Sequence, residues 1–241
     1  LRVIFLVATA AGVLGQSLLL LHAHCAAVDG WLRRDFRVVA FLDRGVDEVR
    51  RTVAEEKLRA IEGTSAVRFV STADSLEELA QDPDLARSVA FLGENPLPGA
   101  VEVELDERGL GRLPDWMREA ETIPELGDIE YKPLQARAIL QMRFYRGLLS
   151  LSLTLAAGAL LFAFSSFLWL RRERGAWDAS AARGAAVAGT GAAAGMFLVA
   201  LLALPLQRRD ALRAWPPAAA QAGLLLAGAA SGWMLQERSR G

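Results

Sequence analysis

Four apolar runs and one alternating segment divide the chain. Val3–Leu21, Gly147–Leu170, Gly184–Leu206 and Pro217–Leu235 are each long enough to cross a hydrocarbon core of about 30 Å, which takes roughly 20 helical residues. Between the first two runs the pattern shortens. Phe36–Asp43, "FRVVAFLD", predicts a strand. Val46–Ile61 predicts a helix, with Val46, Val49, Val53 and Ala60 along one face and Asp47, Arg51, Glu55 and Arg59 on others. Ala66–Ser71 predicts a second strand, and Thr72–Leu92 reads as short helical pieces broken at Asp82-Pro83. Asn95-Pro96-Leu97-Pro98 follows, in which each proline fixes φ and holds the residue before it extended. From Gly99 to Asp106, Val101, Val103 and Leu105 alternate with Glu102, Glu104 and Asp106, as in a half-buried strand. The stiff "NPLP" thus marks where a helical insertion ends and a strand starts in register. A slip of one residue would turn the three apolar side chains to water. Leu110–Ile123 predicts a helix, Asp128–Lys132 a fourth strand, and Gln135–Arg146 a helix running straight into the second apolar run.

The order β-α-β, insertion, β-α-β is that of a split ferredoxin-like sandwich. The predicted class is an α+β membrane protein: four transmembrane helices and a split β-α-β ferredoxin-like extracytoplasmic domain carrying a helical lobe. The expected divisions are helix 1 over 1–21, the outer domain over 22–146 with its lobe at about 72–98, and helix 2 over 147–170. A cytoplasmic loop (171–183), helix 3 (184–206), an outer loop (207–216), helix 4 (217–235) and a cytoplasmic tail (236–241) complete the chain. The first run also reads as a cleavable signal peptide with processing after Ala27 as the lesser alternative. Leu1 is not an initiator methionine, so the natural amino terminus is expected upstream.

Arginine in the short loops sets the orientation. Arg171, Arg172, Arg174 and Arg183 join runs two and three, Arg238 and Arg240 follow run four, and Arg2 precedes run one. Arg208, Arg209 and Arg213, partly offset by Asp210, lie on the other side. The balance places both termini in the cytoplasm of a multi-pass membrane protein, with residues 22–146 outside. Trp31, Trp169, Trp177, Trp215 and Trp233 sit at or near run ends, where an amphipathic ring prefers the headgroup layer and its lipid.

Charge follows the same division. Asp29–Arg146 holds 24 acids and 17 bases, whereas the flanks hold 10 bases and 4 acids. A nucleic-acid binder would concentrate positive charge on its water-soluble part, so that class is excluded. One cysteine, Cys25, precludes an internal disulfide. His22 and His24 lie beside it, but i and i+2 point to different helix faces, which favours interfacial anchoring over a metal site. No G-x-x-x-x-G-K-[ST] loop occurs, and "GTGAAAG" in the third run lacks the strand that a dinucleotide loop requires. No catalytic constellation and no cofactor are therefore expected, and the chain reads as a non-enzyme. No acid or base lies inside an apolar run, which disfavours an ion pathway.

Two sets of residues remain as candidates. Gly191/Gly195 and Gly228/Gly232 are small-xxx-small pairs that permit close helix approach, within the chain or across a dimer; simple tolerance of small residues is the bland reading. In "LARSVAFLG", Leu85, Val89 and Leu92 recur at helical spacing with Phe91 beside them. They either seal the lobe onto the domain or present a partner patch.

The order of elements, together with "VRFVS" and "ENPLP", resembles the FtsX family, membrane subunits of a bacterial cell-division complex related to ABC transporters. The resemblance implies a non-catalytic permease subunit that pairs with an FtsE-like ATPase and forms a homodimer. It would transmit conformational change to an outer peptidoglycan hydrolase or its coiled-coil activator. It also implies partner binding by the lobe. In the cytoplasmic loop, Arg171, Arg172 and Glu173 resemble the start of an ATPase-facing segment. The apolar docking stretch usual in FtsX-like chains is reduced to Ala176-Trp177. That departure leaves an alternative open: a diverged membrane anchor or interaction module without ATPase coupling.

Overall fold

A computed structural model describes residues 1–74, 99–172 and 179–238. Two compact units result: a sheet unit, Leu32–Leu140, and a helical unit made of Leu1–Trp31 and Gln141–Gly241.

In the sheet unit, β1 (Val38–Leu42), α2 (Glu48–Ala60), β2 (Thr64–Val70), β3 (Ala100–Leu105), α3 (Glu107–Gly111), α4 (Leu113–Ala120) and β4 (Leu126–Tyr131) follow in order. The sheet order is β2-β3-β1-β4, with every neighbouring pair antiparallel. Val38 pairs with Val103 and with Tyr131, and Ala40 with Val101 and Ile129, so one apolar row crosses three strands. That row is the core face: Val38, Ala40, Val101 and Val103 are fully buried against Leu58 of α2 and Trp116 of α4. Burial of such side chains stabilises by about 1.5–3 kcal/mol each. Arg37, Arg68, Glu102, Glu104, Asp128 and Glu130 occupy the alternate positions, half-buried or exposed. Each strand reads as the sequence pattern predicts, with ends moved by one or two residues.

Local chemistry explains the helix boundaries. Asp47 caps α2 by accepting from Arg50 N, and Asp106 caps α3 by accepting from Arg108 N and Gly109 N. The helix predicted over Leu110–Ile123 is instead two helices. Arg112 leaves helical geometry (φ −121°, ψ 28°) and Pro114 occupies the first turn of α4, where its missing N–H costs nothing. Gly63 (φ +96°) brings its backbone against that of Gly109, a crossing with no room for a Cβ on either side. Across it, Trp116 Nε1 donates to Thr64 Oγ1 at 3.0 Å, while Thr64 Oγ1 donates to the Leu58 carbonyl at 2.9 Å.

Among the described residues, four helices contain segments long and apolar enough to cross a membrane: α1 (Arg2–Asp35), α5 (Pro133–Arg172), α6 (Ala179–Arg208) and α7 (Ala218–Arg238). Helix α1 continues 14 residues past the expected end at Leu21, and α5 begins well before its apolar run.

Candidate functional site

The helical unit is built on glycine. A Cβ on Gly191 would lie 2.6 Å from the Phe5 carbonyl oxygen, and one on Gly195 would meet the Thr9 carbonyl and Val13 N, so α6 packs directly on the backbone of α1. Gly12 returns the contact, with no space between it and the Ala192 backbone. On the other side of α6, a Cβ on Gly228 would be 2.8 Å from that of Ala192, and one on Gly232 would collide with Ala188. All four glycines singled out in the sequence thus lie at helix crossings around α6, which packs on both α1 and α7; α1 and α7 also meet directly, at Gly15 and Leu224. Close approach of this kind gains van der Waals contact that lipid does not supply. Gly158 and Gly223, by contrast, face open space. Among its contacts with the trio, Leu160 of α5 lines a small apolar cleft with α1, α6 and α7, and Phe164 and Phe167 flank Trp233 with ring centres 6.1 and 5.6 Å away. Leu148, Leu151, Leu155, Phe162 and Trp169 of α5 are exposed.

Three polar features of this unit carry little sequence signal. Asp29 of α1, with a side chain only 3% exposed, accepts from Arg146 of α5 at 3.1 Å. Gln16 is 1% exposed, and its Oε1 meets no donor among the described residues. His24 Nδ1 accepts from Arg213 N at 3.3 Å, so it is tied to the α6–α7 connection rather than turned toward Cys25, which is buried. Among the described residues, no three His, Cys, Asp or Glu side chains gather as metal ligands.

In the sheet unit the roots of the insertion flank an open cleft lined by Asp43, Val46, Glu48, Arg51, Phe69, Thr72 and Gly99. Arg51 stacks on Phe69 with its guanidinium carbon 4.3 Å from the ring centre. It pairs with Glu48 at 3.2 Å and with Glu55 at 3.3 Å, the latter an ion pair without hydrogen-bond alignment at Nε. The cation is thus already compensated. At the first root, Ser71 and Asp74 cap each other: Ser71 Oγ and N donate to Asp74 Oδ2 at 2.8 and 3.2 Å, and Asp74 N donates to Ser71 Oγ at 3.1 Å. The Ser71 side-chain bond, then its backbone bond, hold the Asp74 carboxyl below its usual range. Lys57 Nζ donates to Glu125 Oε2 at 3.0 Å and depresses that carboxyl likewise.

The remaining residues singled out in the sequence fall elsewhere. Leu85, Val89, Phe91 and Leu92, and the Asn95-Pro96-Leu97-Pro98 motif, lie outside the described residues, as do Glu173 and Trp177. Arg171 and Arg172 end α5.

A four-stranded α+β unit thus lies, in sequence, between the first two of the four helices that are long and apolar enough to cross a membrane among the described residues. Residues 35–141 match the FtsX extracellular domain family. The match covers the sheet unit, which is thus similar to an FtsX extracellular domain. Two solved structures are also similar to part of the chain. Extracellular domain 1 of FtsX from Streptococcus pneumoniae, in complex with undecyl-maltoside, is 18% identical, with 39% of this chain and 92% of that chain covered and a TM-score of 0.33. The large extracellular loop of FtsX in Streptococcus pneumoniae is 16% identical, with 40% and 98% covered and a TM-score of 0.31. No curated protein matches the chain.

Proposed function

We propose that the chain is an FtsX-type permease subunit that passes conformational change from an FtsE-like ATPase to a regulator of peptidoglycan hydrolysis in cell division. The observation that carries this reading is the FtsX extracellular domain match over residues 35–141, flanked by α1 and α5. The antiparallel order β2-β3-β1-β4 supports a split ferredoxin-like sandwich for that domain. The four apolar helices support a multi-pass membrane protein, and the arginines at 171–183 and beyond α7 support a plasma-membrane orientation with both termini in the cytoplasm. Helix α5 is one element from Pro133 to Arg172, so it contains both residues that adjoin β4 and residues of the apolar run. The relay works only if the ATPase binds two states of the dimer with different affinity. The lobe residues Leu85, Val89, Phe91 and Leu92 form the hydrolase- or activator-binding patch, and the Arg171–Trp177 segment meets the ATPase.

A second reading is favoured by the short 171–183 loop: a diverged FtsX anchor without ATPase coupling. Pulldown of the tagged full-length protein from its own cells separates the two. Recovery of an FtsE-like ATPase supports the relay. A hydrolase or coiled-coil activator without any ATPase supports the anchor.

A further inference from the structure

One end of the helical unit gathers arginine where an acid-rich domain adjoins in sequence. The Asp29–Arg146 pair and the His24–Arg213 bond place residues 24–31 of α1, 143–146 of α5 and the α6–α7 connection at the same end. Arg146, Arg208, Arg209 and Arg213 lie at this end, with Asp29 and Asp210 as the acids of its described residues. Asp29 already pairs with Arg146.

The α6–α7 connection is built rather than slack. Asp210 adopts a left-handed conformation (φ 53°), and Asp210 N and Ala211 N donate to Gln207 O and Leu206 O at 3.0 Å each, closing the end of α6. That turn fixes Arg208 and Arg209, both exposed, directly beyond the apolar run. Arg213 is anchored twice, by its backbone bond to His24 and by its guanidinium 4.2 Å over the Trp31 ring. Trp31 and Trp215, 46% and 36% exposed, mark this end as headgroup level. The carboxyl end of α6 offsets part of one arginine's charge, since helix ends carry only about half an elementary charge. Three exposed cations held by an ordered turn at that depth suit anionic groups of the headgroup layer.

We propose that Arg208, Arg209 and Arg213 form a binding site for the phosphates of anionic phospholipid headgroups. The site rests on the proposed membrane reading but on no ATPase or cell-wall partner. Each arginine near an anionic bilayer surface contributes about fivefold in affinity.

The test uses the full-length protein in nanodiscs of equal phosphatidylglycerol and phosphatidylcholine, extracted with mild detergent, with the retained lipid identified by mass spectrometry. Wild type should retain phosphatidylglycerol in clear excess. R208S/R209S/R213S should lose most of that excess, Asp210→Asn should increase it, and Arg118→Ser, in the sheet unit, should leave it unchanged. Because Asp210→Asn acts in the opposite direction, the site remains testable if the triple variant fails to fold. Equal retention of the two lipids by wild type, or an excess indifferent to both variants, would overturn the site. Displacement by inorganic phosphate as readily as by added phosphatidylglycerol would overturn the lipid assignment. Failure to enter nanodiscs would instead overturn the membrane reading beneath it.

Discussion

Asp29 and Arg146 meet at 3.1 Å, the carboxylate 3% exposed and the guanidinium 39% exposed. A buried acid is costly unless compensated, so removing Arg146 weakens the compensation of the Asp29 charge whereas neutralising both partners does not. Arg146→Met is expected to destabilise the full-length protein by about 1–3 kcal/mol, less than a fully buried pair because water screens the arginine side. Asp29→Asn with Arg146→Met should recover most of that loss. Thermal unfolding in detergent reads it; a double variant as unstable as the single one would show that the pair adds nothing beyond side-chain packing.

The crossing of α6 and α1 admits no side chain at Gly195. Gly195→Ala should force the helices apart and cost about 1–3 kcal/mol, the usual range for overpacking. Gly158→Ala, where the added methyl meets open space, should be neutral or stabilise by about 0.5–1 kcal/mol. Unfolding midpoints of the two variants, measured side by side, should move in different directions.

Trp116 and Thr64 join α4 to the start of β2 through a 3.0 Å hydrogen bond inside the core. Trp116→Phe should cost about 1–2 kcal/mol from the lost bond and reduced filling. Thr64→Val should be the harsher change, because it also removes the donor to Leu58 O and leaves the Trp116 N–H unmatched. Circular dichroism melts of the full chain would rank them, and the reverse order would count against this bond as the link.

The Glu125 carboxyl is depressed chiefly by the hydrogen bond from Lys57. A carboxyl lowered on folding contributes stability that is present above its unfolded pKa and lost as pH falls through the lowered folded value. Acidification from neutral pH to below the ordinary carboxylate range should therefore destabilise wild type more than Lys57→Met. Equal acid sensitivity of the two would remove the pair from the account.

Much of the sheet unit was legible because period-two alternation fixes which side of each strand is buried. Val101 and Val103 were assigned to the core from that pattern and are fully buried. The break at Arg112 was not legible, since apolar spacing runs across it and only Pro114 signals a new start. Nor was the extension of α1 to Asp35: residues 22–35 lose their apolar run, and the helix is held there by tertiary contacts such as Asp29–Arg146 and His24–Arg213. The small-xxx-small spacing pointed to the four glycines, but not to which helix each meets. That depends on how α6 is rotated, and three-dimensional packing alone sets it.

The lobe carries the partner side of the proposed function. Phe91→Ala should weaken capture of a hydrolase or coiled-coil activator while leaving the circular dichroism of the protein unchanged. A loss of folded signal would assign Phe91 to the core instead.

Affinity purification of the tagged full-length protein from its own cells, with mass spectrometry of what accompanies it, tests the relay itself. An FtsE-like ATPase is expected in the eluate, diminished when Arg171 and Arg172 are changed to serine. Recovery of a hydrolase or activator with no ATPase at all would contradict the relay and leave an FtsX-family anchor in its place.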